Sequence, residues 1–357
     1  MYCADLQDPF RRHRLALSIL AADLRGAELI RVMRDVAALD IASFADFLSE
    51  HGLAAYLHNL IEANDVSGPL GFIDALKRRR LAEAASYMRQ KSALRDLDSL
   101  FNSKHIPYGV MKGAHVRELV YEDPALRPAN DIDILVSPAQ RLTAAQALIG
   151  AGYELQVNAT TISHEATLIK DSLAVDLHWD ILRPGRTRID TVLPMLSRRK
   201  RLDDFWALDD ADAVFLMLVH PAFTKYICSP NMGLIRVADF VLWLRKRSVD
   251  WDKVAERLHA AGLKTAAWAV LQWFAMVLEG VHVPETFVDG ISPGPWRARY
   301  LKYWLRNNLP TRWIRSPLLI QVGLTLLLHD RVSDSQRAIA ARILARNLRS
   351  NPSLERY

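Results

Sequence analysis

Two aspartates inside the apolar run Asp131-Ile132-Asp133-Ile134-Leu135-Val136 constrain this chain more than any other feature. A β-strand turns residues i and i+2 to one face, so Asp131 and Asp133 stand side by side while Ile132 and Ile134 face a core. At a separation of about 7 Å and an effective dielectric of about 20, the two carboxylates repel by roughly 2–3 kcal/mol. That cost calls for a counter-charge, and a divalent cation is the simplest one.

The pattern around this strand divides the chain. Residues 10–104 read as helical, with apolar residues at helical spacing such as Leu94, Leu97 and Phe101 and a break at Val66-Ser67-Gly68-Pro69. The signal then changes. His105-Ile106-Pro107-Tyr108-Gly109-Val110-Met111 reads as a short strand, closed by Lys112-Gly113 and followed by a helix to about Tyr121. After the Asp131–Val136 strand, Ser137-Pro138 reads as an N-cap with proline at the first helical position, opening a helix that ends near Gly150-Ala151-Gly152. Residues 165–170 and 173–179 flank Asp171-Ser172 as a hairpin. Alternation in its second arm sends Leu173, Val175, Leu177 and Trp179 one way, and Ala174, Asp176 and His178 the other. From about 210 onward helices return, at 210–224, 233–247, 251–262, 264–280, 296–308, 317–329 and 334–349. The expected division is a helical domain over 1–104, an α/β core over 105–205 and a second helical domain over 206–357.

Composition supports a globular protein: 50% hydrophobic and 24% charged residues in 357 leave ample material for a core and do not fit disorder. Acids near the N-terminus, where a signal peptide needs basic and then apolar residues, favour a cytoplasmic protein. The longest apolar stretch, Leu318 to Leu328, is interrupted by Gln321 and too short for a transmembrane segment. Cys3 and Cys228 make no disulfide framework and match no zinc spacing. The net charge of +6 is unevenly placed, because Ile291 to His329 lacks acids yet carries Arg297, Arg299, Lys302, Arg306, Arg312 and Arg315.

An Asp-x-Asp on one strand, a third aspartate, Asp176, on a later one, and a glycine where a strand enters a helix suit metal-dependent phosphoryl or nucleotidyl transfer. Mg²⁺ takes oxygen ligands and is usually held by one or two carboxylates plus substrate phosphates. Gly113, without a Cβ at the mouth of a helix, lets backbone amides approach phosphate where the helix dipole favours negative charge. Lys112 and Arg127 are candidate phosphate ligands.

The segments Ile106-Pro107-Tyr108-Gly109-Val110-Met111-Lys112-Gly113-Ala114-His115, residues 121–136 and Val175-Asp176-Leu177-His178-Trp179 together resemble the nucleotidyltransferase superfamily that includes DNA polymerase β. The chain is more similar to its bacterial branch of uncharacterised nucleotidyltransferase-like proteins. The resemblance implies an α+β fold, a small mixed-sheet core with helical domains on both sides. It implies that Asp131, Asp133 and Asp176 are catalytic and hold two Mg²⁺ ions. Lys112 and Gly113 would form the nucleotide-cradling turn. The implied reaction moves a nucleoside monophosphate from a nucleoside triphosphate such as ATP to an acceptor hydroxyl and releases pyrophosphate. The superfamily carries Gly-Ser or Gly-Gly at the turn where this chain has Gly113-Ala114, which removes a hydroxyl.

Each residue also has a structural reading. Arg127 pairs as readily with Asp123 or Glu122 as with phosphate, His178 is as well suited to a hydrogen bond with a neighbouring carboxylate as to a nucleotide, and Arg236 and Asp239 fit an i,i+3 helix pair. His220 fits a helix end as well as a nucleotide contact. Trp296, Trp304 and Trp313 among the arginines fit either stacking on RNA or a helical core. The acceptor is left open among a small molecule, a peptide and RNA. The alternatives to catalysis on a small acceptor are a non-catalytic nucleotide-binding or protein-interaction member of the fold and an RNA-modifying enzyme.

Overall fold

The computed structural model describes residues 10–20, 27–156, 164–223, 233–278, 281–309, 314 and 316–348. Cys3, Cys228, Arg312, Trp313 and Arg315 lie outside them.

Helices α1 (Arg11–Ser18), α2 (Ala27–Ala37), α3 (Ile41–Glu50) and α4 (Ala54–Ala63) precede the break at Gly68-Pro69, and α5 (Leu70–Ser103) follows it. Asp40 caps α3 by accepting from the Ser43 amide. The long α5 serves two cores: Phe72 and Leu76 pack among the N-terminal helices, whereas Leu94, Leu97 and Phe101 pack under the sheet.

The α/β segment runs β1 (Tyr108–Met111), α6 (Lys112–Val120), β2 (Asp131–Val136), α7 (Arg141–Gly150), β3 (Glu154–Leu155), β4 (Glu165–Lys170), β5 (Leu173–His178), α8 (Val192–Ser197), β6 (Lys200–Arg201) and β7 (Trp206–Ala207). The strands form one 7-stranded mixed sheet in the order β3-β4-β5-β2-β1-β7-β6. β2 pairs antiparallel with β1 and parallel with β5. Asp171 and Ser172 both take positive φ, 50° and 64°, the geometry of a two-residue hairpin turn between β4 and β5.

Alternation settles the faces as expected. Ile132, Ile134, Val136, Val175 and Leu177 are fully buried against α5 and α7, each worth about 2 kcal/mol or more of apolar burial. The opposite face carries Asp131, Asp133, Asp176 and His178 and turns towards the helical body. That body consists of α9 (Asp210–Phe223), α10 (Ile235–Lys246), α11 (Trp251–Ala261), α12 (Lys264–Val277), α13 (Glu285–Ile291), α14 (Pro295–Arg306) and the helices Pro317–Gly323 and Val332–Leu348. Together with the N-terminal helices it forms a second, larger core that reaches the sheet at Met111 and Leu135. No described helix is long and apolar enough to cross a membrane.

Several local expectations need correction. β1 begins at Tyr108, because His105 takes φ 53° to end α5. Ser137 makes no side-chain cap bond, and a 3₁₀ turn at Pro138–Gln140 precedes α7. The two-residue strands β3, β6 and β7 are too short to show a period, as is the seven-residue α13. The helix expected over 317–329 stops at Gly323, where a Cβ would come within 2.5 Å of Trp304, and resumes as a 3₁₀ turn at Thr325–Leu328. Of the tryptophans in the basic stretch, Trp304 is buried and Trp296 is exposed.

One buried group has a measurable cost. His115 on α6 lies against the Trp243 ring, 5.8 Å between centroids, and neither ring nitrogen has a hydrogen-bond partner among the described residues. Burial pushes its pKa down from 6.5 to about 4. The unfolded chain therefore binds the extra proton between these values. The group's full contribution is present above pH 6.5 and is lost as pH falls towards 4, a change of about 3 kcal/mol. His115→Leu is expected to raise stability at neutral pH, because orphaned buried donors cost about 1–3 kcal/mol. It is also expected to flatten the acid limb of the stability curve by urea unfolding. A variant as acid-labile as its parent contradicts this.

Candidate active site

The sheet's polar face and the helical body enclose a cleft of about 1160 Å³. Strand pairing assembles its floor. Met111 lies opposite Asp133, so Lys112, the next residue and the first of α6, arrives beside that carboxylate. In the parallel pair, Asp133 lies opposite Asp176 and Asp131 opposite Ala174. In the hairpin, Glu165 lies opposite His178 and Thr167 opposite Asp176.

Asp133 is the focus, only 5% exposed. Lys112 Nζ donates to its Oδ1 at 2.6 Å, and His178 Nε2 lies 2.8 Å from the same oxygen. Burial alone would push this carboxyl up, but Lys112 and His178 reverse that and hold it well below the usual carboxylate range. The counter-charge demanded by Asp131 and Asp133 is thus supplied in part by Lys112. That residue occupies the left-handed region at φ 54°, a strain of about 1–3 kcal/mol that its ion pair offsets. Asp176 is half-buried and accepts from Thr167 Oγ1 at 2.6 Å. Asp131 is half-buried at the cleft wall.

Arg127 departs from both of its expected structural partners. Its guanidinium pairs with Asp239 of α10, 2.6 Å from Nη2 to Oδ2, and Nη1 donates to the Pro128 carbonyl at 2.7 Å. Tyr121 OH donates to the other Asp239 oxygen at 2.9 Å. Burial disfavours the Arg127 charge, and Asp239 more than restores it, so its pKa is raised. The same guanidinium covers Gly113, where a Cβ would lie 2.0 Å from Nη1. Glycine at 113 therefore admits a pinned arginine, whether or not phosphate also approaches. Ala114 is fully buried in the core beneath the sheet.

Arg236 and Asp239 do not pair as the helix spacing predicts. Arg236 Nη1 donates to His220 Nδ1 at 2.9 Å. His220 is held neutral, its pKa lowered well below 6.5 by burial and by Lys112 and Arg236. Both residues line the cleft, as do Arg183 and Arg186. Arg186 lies over the Phe223 ring at 4.5 Å.

The structure brings Lys112, Gly113, Asp131, Asp133, Asp176 and His178 to one place and sets Arg127 at its wall. Residues not singled out in the sequence join them: His164, Glu165, Thr167, Arg183 and Arg186. The signal for Glu165 and Thr167 was present, since a two-residue turn at 171–172 dictates which β4 residues face Asp176 and His178. Arg183 and Arg186 follow β5 in irregular chain and carry no periodic signal.

The donor set can be tested against Mg²⁺. Oxygens of Asp133 and Asp176 lie within 4.8 Å of each other, and Asp133 is kept ionised as a hard cation requires. The two carboxylates fit such an ion, with His178 as a hydrogen-bonding neighbour of Asp133.

Fold and site together define a protein of the nucleotidyltransferase type: a mixed sheet with paired aspartates on its central strand, a third on the parallel neighbour and a glycine turn beside them. Residues 37–278 match the model of the family described as uncharacterised nucleotidyltransferases. The chain belongs to that family. No curated protein matches it.

Proposed function

We propose that this protein transfers a nucleoside monophosphate from a nucleoside triphosphate to an acceptor hydroxyl and releases pyrophosphate. The observation that carries the reading is the placement of Asp131, Asp133 and Asp176 on neighbouring strands at the floor of a cleft whose walls carry Lys112, Arg183, Arg186 and Arg236. Asp131, Asp133 and Asp176 would hold Mg²⁺, which supplies charge neutralisation for the departing pyrophosphate and acidifies an acceptor hydroxyl. Lys112 keeps Asp133 ionised and brings an ammonium to the floor of the triphosphate site. The arginines orient and neutralise the anion, and Thr167 fixes the carboxylate of Asp176 through its hydroxyl. Arg127 acts as a positioning residue, tying the glycine turn to α10. In this reading 105–205 is the catalytic unit and 1–104 and 206–357 are the helical domains that clamp it.

The experiment offers the protein ATP and the other nucleoside triphosphates, labelled either at the α- or at the γ-phosphate, with Mg²⁺ and a cell extract. Label from the α position is expected in the acceptor. Label arriving only from the γ position would make the protein a phosphoryl transferase. One surface favours RNA as acceptor: the outer face of α14 presents Trp296, 82% exposed, and Tyr303, 61% exposed, beside exposed Arg299 and Arg306. That combination suits stacking and phosphate contact, and the same experiment reads it as label in the RNA fraction.

A further inference from the structure

The hairpin that carries Asp176 holds a second donor cluster on the far side of the His178 ring, and its chemistry differs from that of the aspartates. His178 is 1% exposed and divides its two nitrogens between the clusters. Nε2 lies 2.8 Å from Asp133 Oδ1. Nδ1 lies 3.2 Å from Glu165 Oε2 and is a buried atom without a hydrogen-bond partner among the described residues. His164 Nε2 lies 3.5 Å from the same Glu165 oxygen.

His178 Nε2 also lies 3.2 Å from the Lys112 ammonium, so that edge of the ring is taken up by the aspartate site while Nδ1 faces Glu165. The Nδ1–Glu165 contact lacks hydrogen-bond geometry, and a third donor atom, His164 Nε2, converges on the same oxygen. All three donor atoms lie within 4.8 Å of one another. Bonds of about 2.0–2.1 Å to nitrogen and oxygen set tetrahedral edges of roughly 3.3 Å, and the edges found here are 3.2 and 3.5 Å. The contact of His178 Nε2 with Asp133, 2.8 Å, supplies the outer carboxylate that metal-bound imidazoles usually have.

We infer that His164 Nε2, Glu165 Oε2 and His178 Nδ1 form a three-ligand site for a borderline divalent transition ion of the Zn²⁺ class, separate from the carboxylate site for Mg²⁺. Two imidazoles and one carboxylate suit Zn²⁺ and its neighbours in the first transition row, whereas Mg²⁺ prefers oxygen. Three protein ligands leave a fourth position open to the cleft, the arrangement of a reactive rather than a purely structural zinc site. Lys112, Arg183 and Arg186 lie near and oppose a cation, and Glu165, Asp133 and Asp176 balance them. The His178 imidazole joins the two sites, one nitrogen to each.

The test is metal binding by the full chain without nucleotide, so it succeeds or fails apart from nucleotidyl transfer. Protein stripped with EDTA is titrated with Zn²⁺ against a chromophoric chelator in millimolar Mg²⁺, and separately with Co²⁺ while visible absorption is recorded. The expected result is one Zn²⁺ per chain and the intense visible bands of a four-coordinate Co²⁺. Affinity should fall by more than about 100-fold in His164→Ala and in Glu165→Gln, beyond the cost of losing an outer partner. Asp131→Asn should bind as the parent does. Glu165→Gln is nearly isosteric at a half-exposed position, so it keeps the test meaningful if His164→Ala fails to fold. Binding that is unchanged by Glu165→Gln, or abolished by millimolar Mg²⁺, overturns the inference, as does the absence of Co²⁺ bands in the parent protein.

Discussion

Asp133→Asn is expected to lose both turnover and stability. The carboxylate is buried, and its loss leaves the Lys112 ammonium, 2.6 Å away, without its partner. Removing one member of a buried pair typically costs about 3 kcal/mol or more. Turnover should fall by more than about 100-fold, since the residue is proposed as an inner ligand and outer ones already cost up to that much. The pH dependence should change as well. Asp133 is held below the usual carboxylate range, so its stabilisation is present above that range and lost as pH falls through the folded-state value. The Asn variant should lack that part of the acid transition. Thermal melts and urea curves at pH 7 and at pH 3 or below, where the lowered carboxyl begins to protonate in the unfolded chain, beside a pyrophosphate-release assay, check all three; a variant as stable as the parent would mean that Lys112 does not depend on this pair. Because stability and turnover fall together, Asp133→Asn alone does not isolate the chemistry.

Asp239→Ala is expected to be as damaging, for a purely structural reason. Asp239 and Arg127 are 6% and 10% exposed in their side chains and tie α10 to the loop before β2. Without the carboxylate the guanidinium stays buried and unpaired and Tyr121 OH loses its acceptor, a combined cost of about 3–5 kcal/mol. Arg127 would then be free to leave its position over Gly113, so the glycine turn should loosen. Asp239→Ala combined with Arg127→Met removes the stranded charge and should recover part of the loss. A melting temperature within error of the parent for Asp239→Ala would show that the pair is not holding α10 to the turn.

The strand that bears the aspartates was legible because alternation is a strict rule. Side chains i and i+2 of a strand share a face, so an apolar run interrupted only at Asp131 and Asp133 places both carboxylates on one face without knowledge of any neighbour. The glycine turn was legible too, although its reason was not. Gly113 excludes a Cβ chiefly because Arg127 lies over it, and Arg127 is held by Asp239, 112 residues later. No local pattern reveals a pair at that separation. The same limit applies to Lys112 and Asp133, which β1–β2 register brings together, and to the division of α5 between two cores. Asp123, Glu122 and an i,i+3 pair in α10 were local candidates, and long-range ones won because burial rewards the partner that completes a desolvated pair. The hairpin is the intermediate case: its turn is local, and once the register is fixed Glu165 and Thr167 face His178 and Asp176.

Asp131→Asn tests the chemistry at a half-buried carboxylate, whereas Asp133 is 5% exposed and carries the Lys112 ion pair. The decisive measurement is transfer of label from α-phosphate-labelled nucleoside triphosphate, with Mg²⁺, by the parent protein and by Asp131→Asn at matched melting temperature. The account predicts label in an acceptor for the parent and a loss of more than about 100-fold in the variant. Equal transfer by both proteins would contradict it.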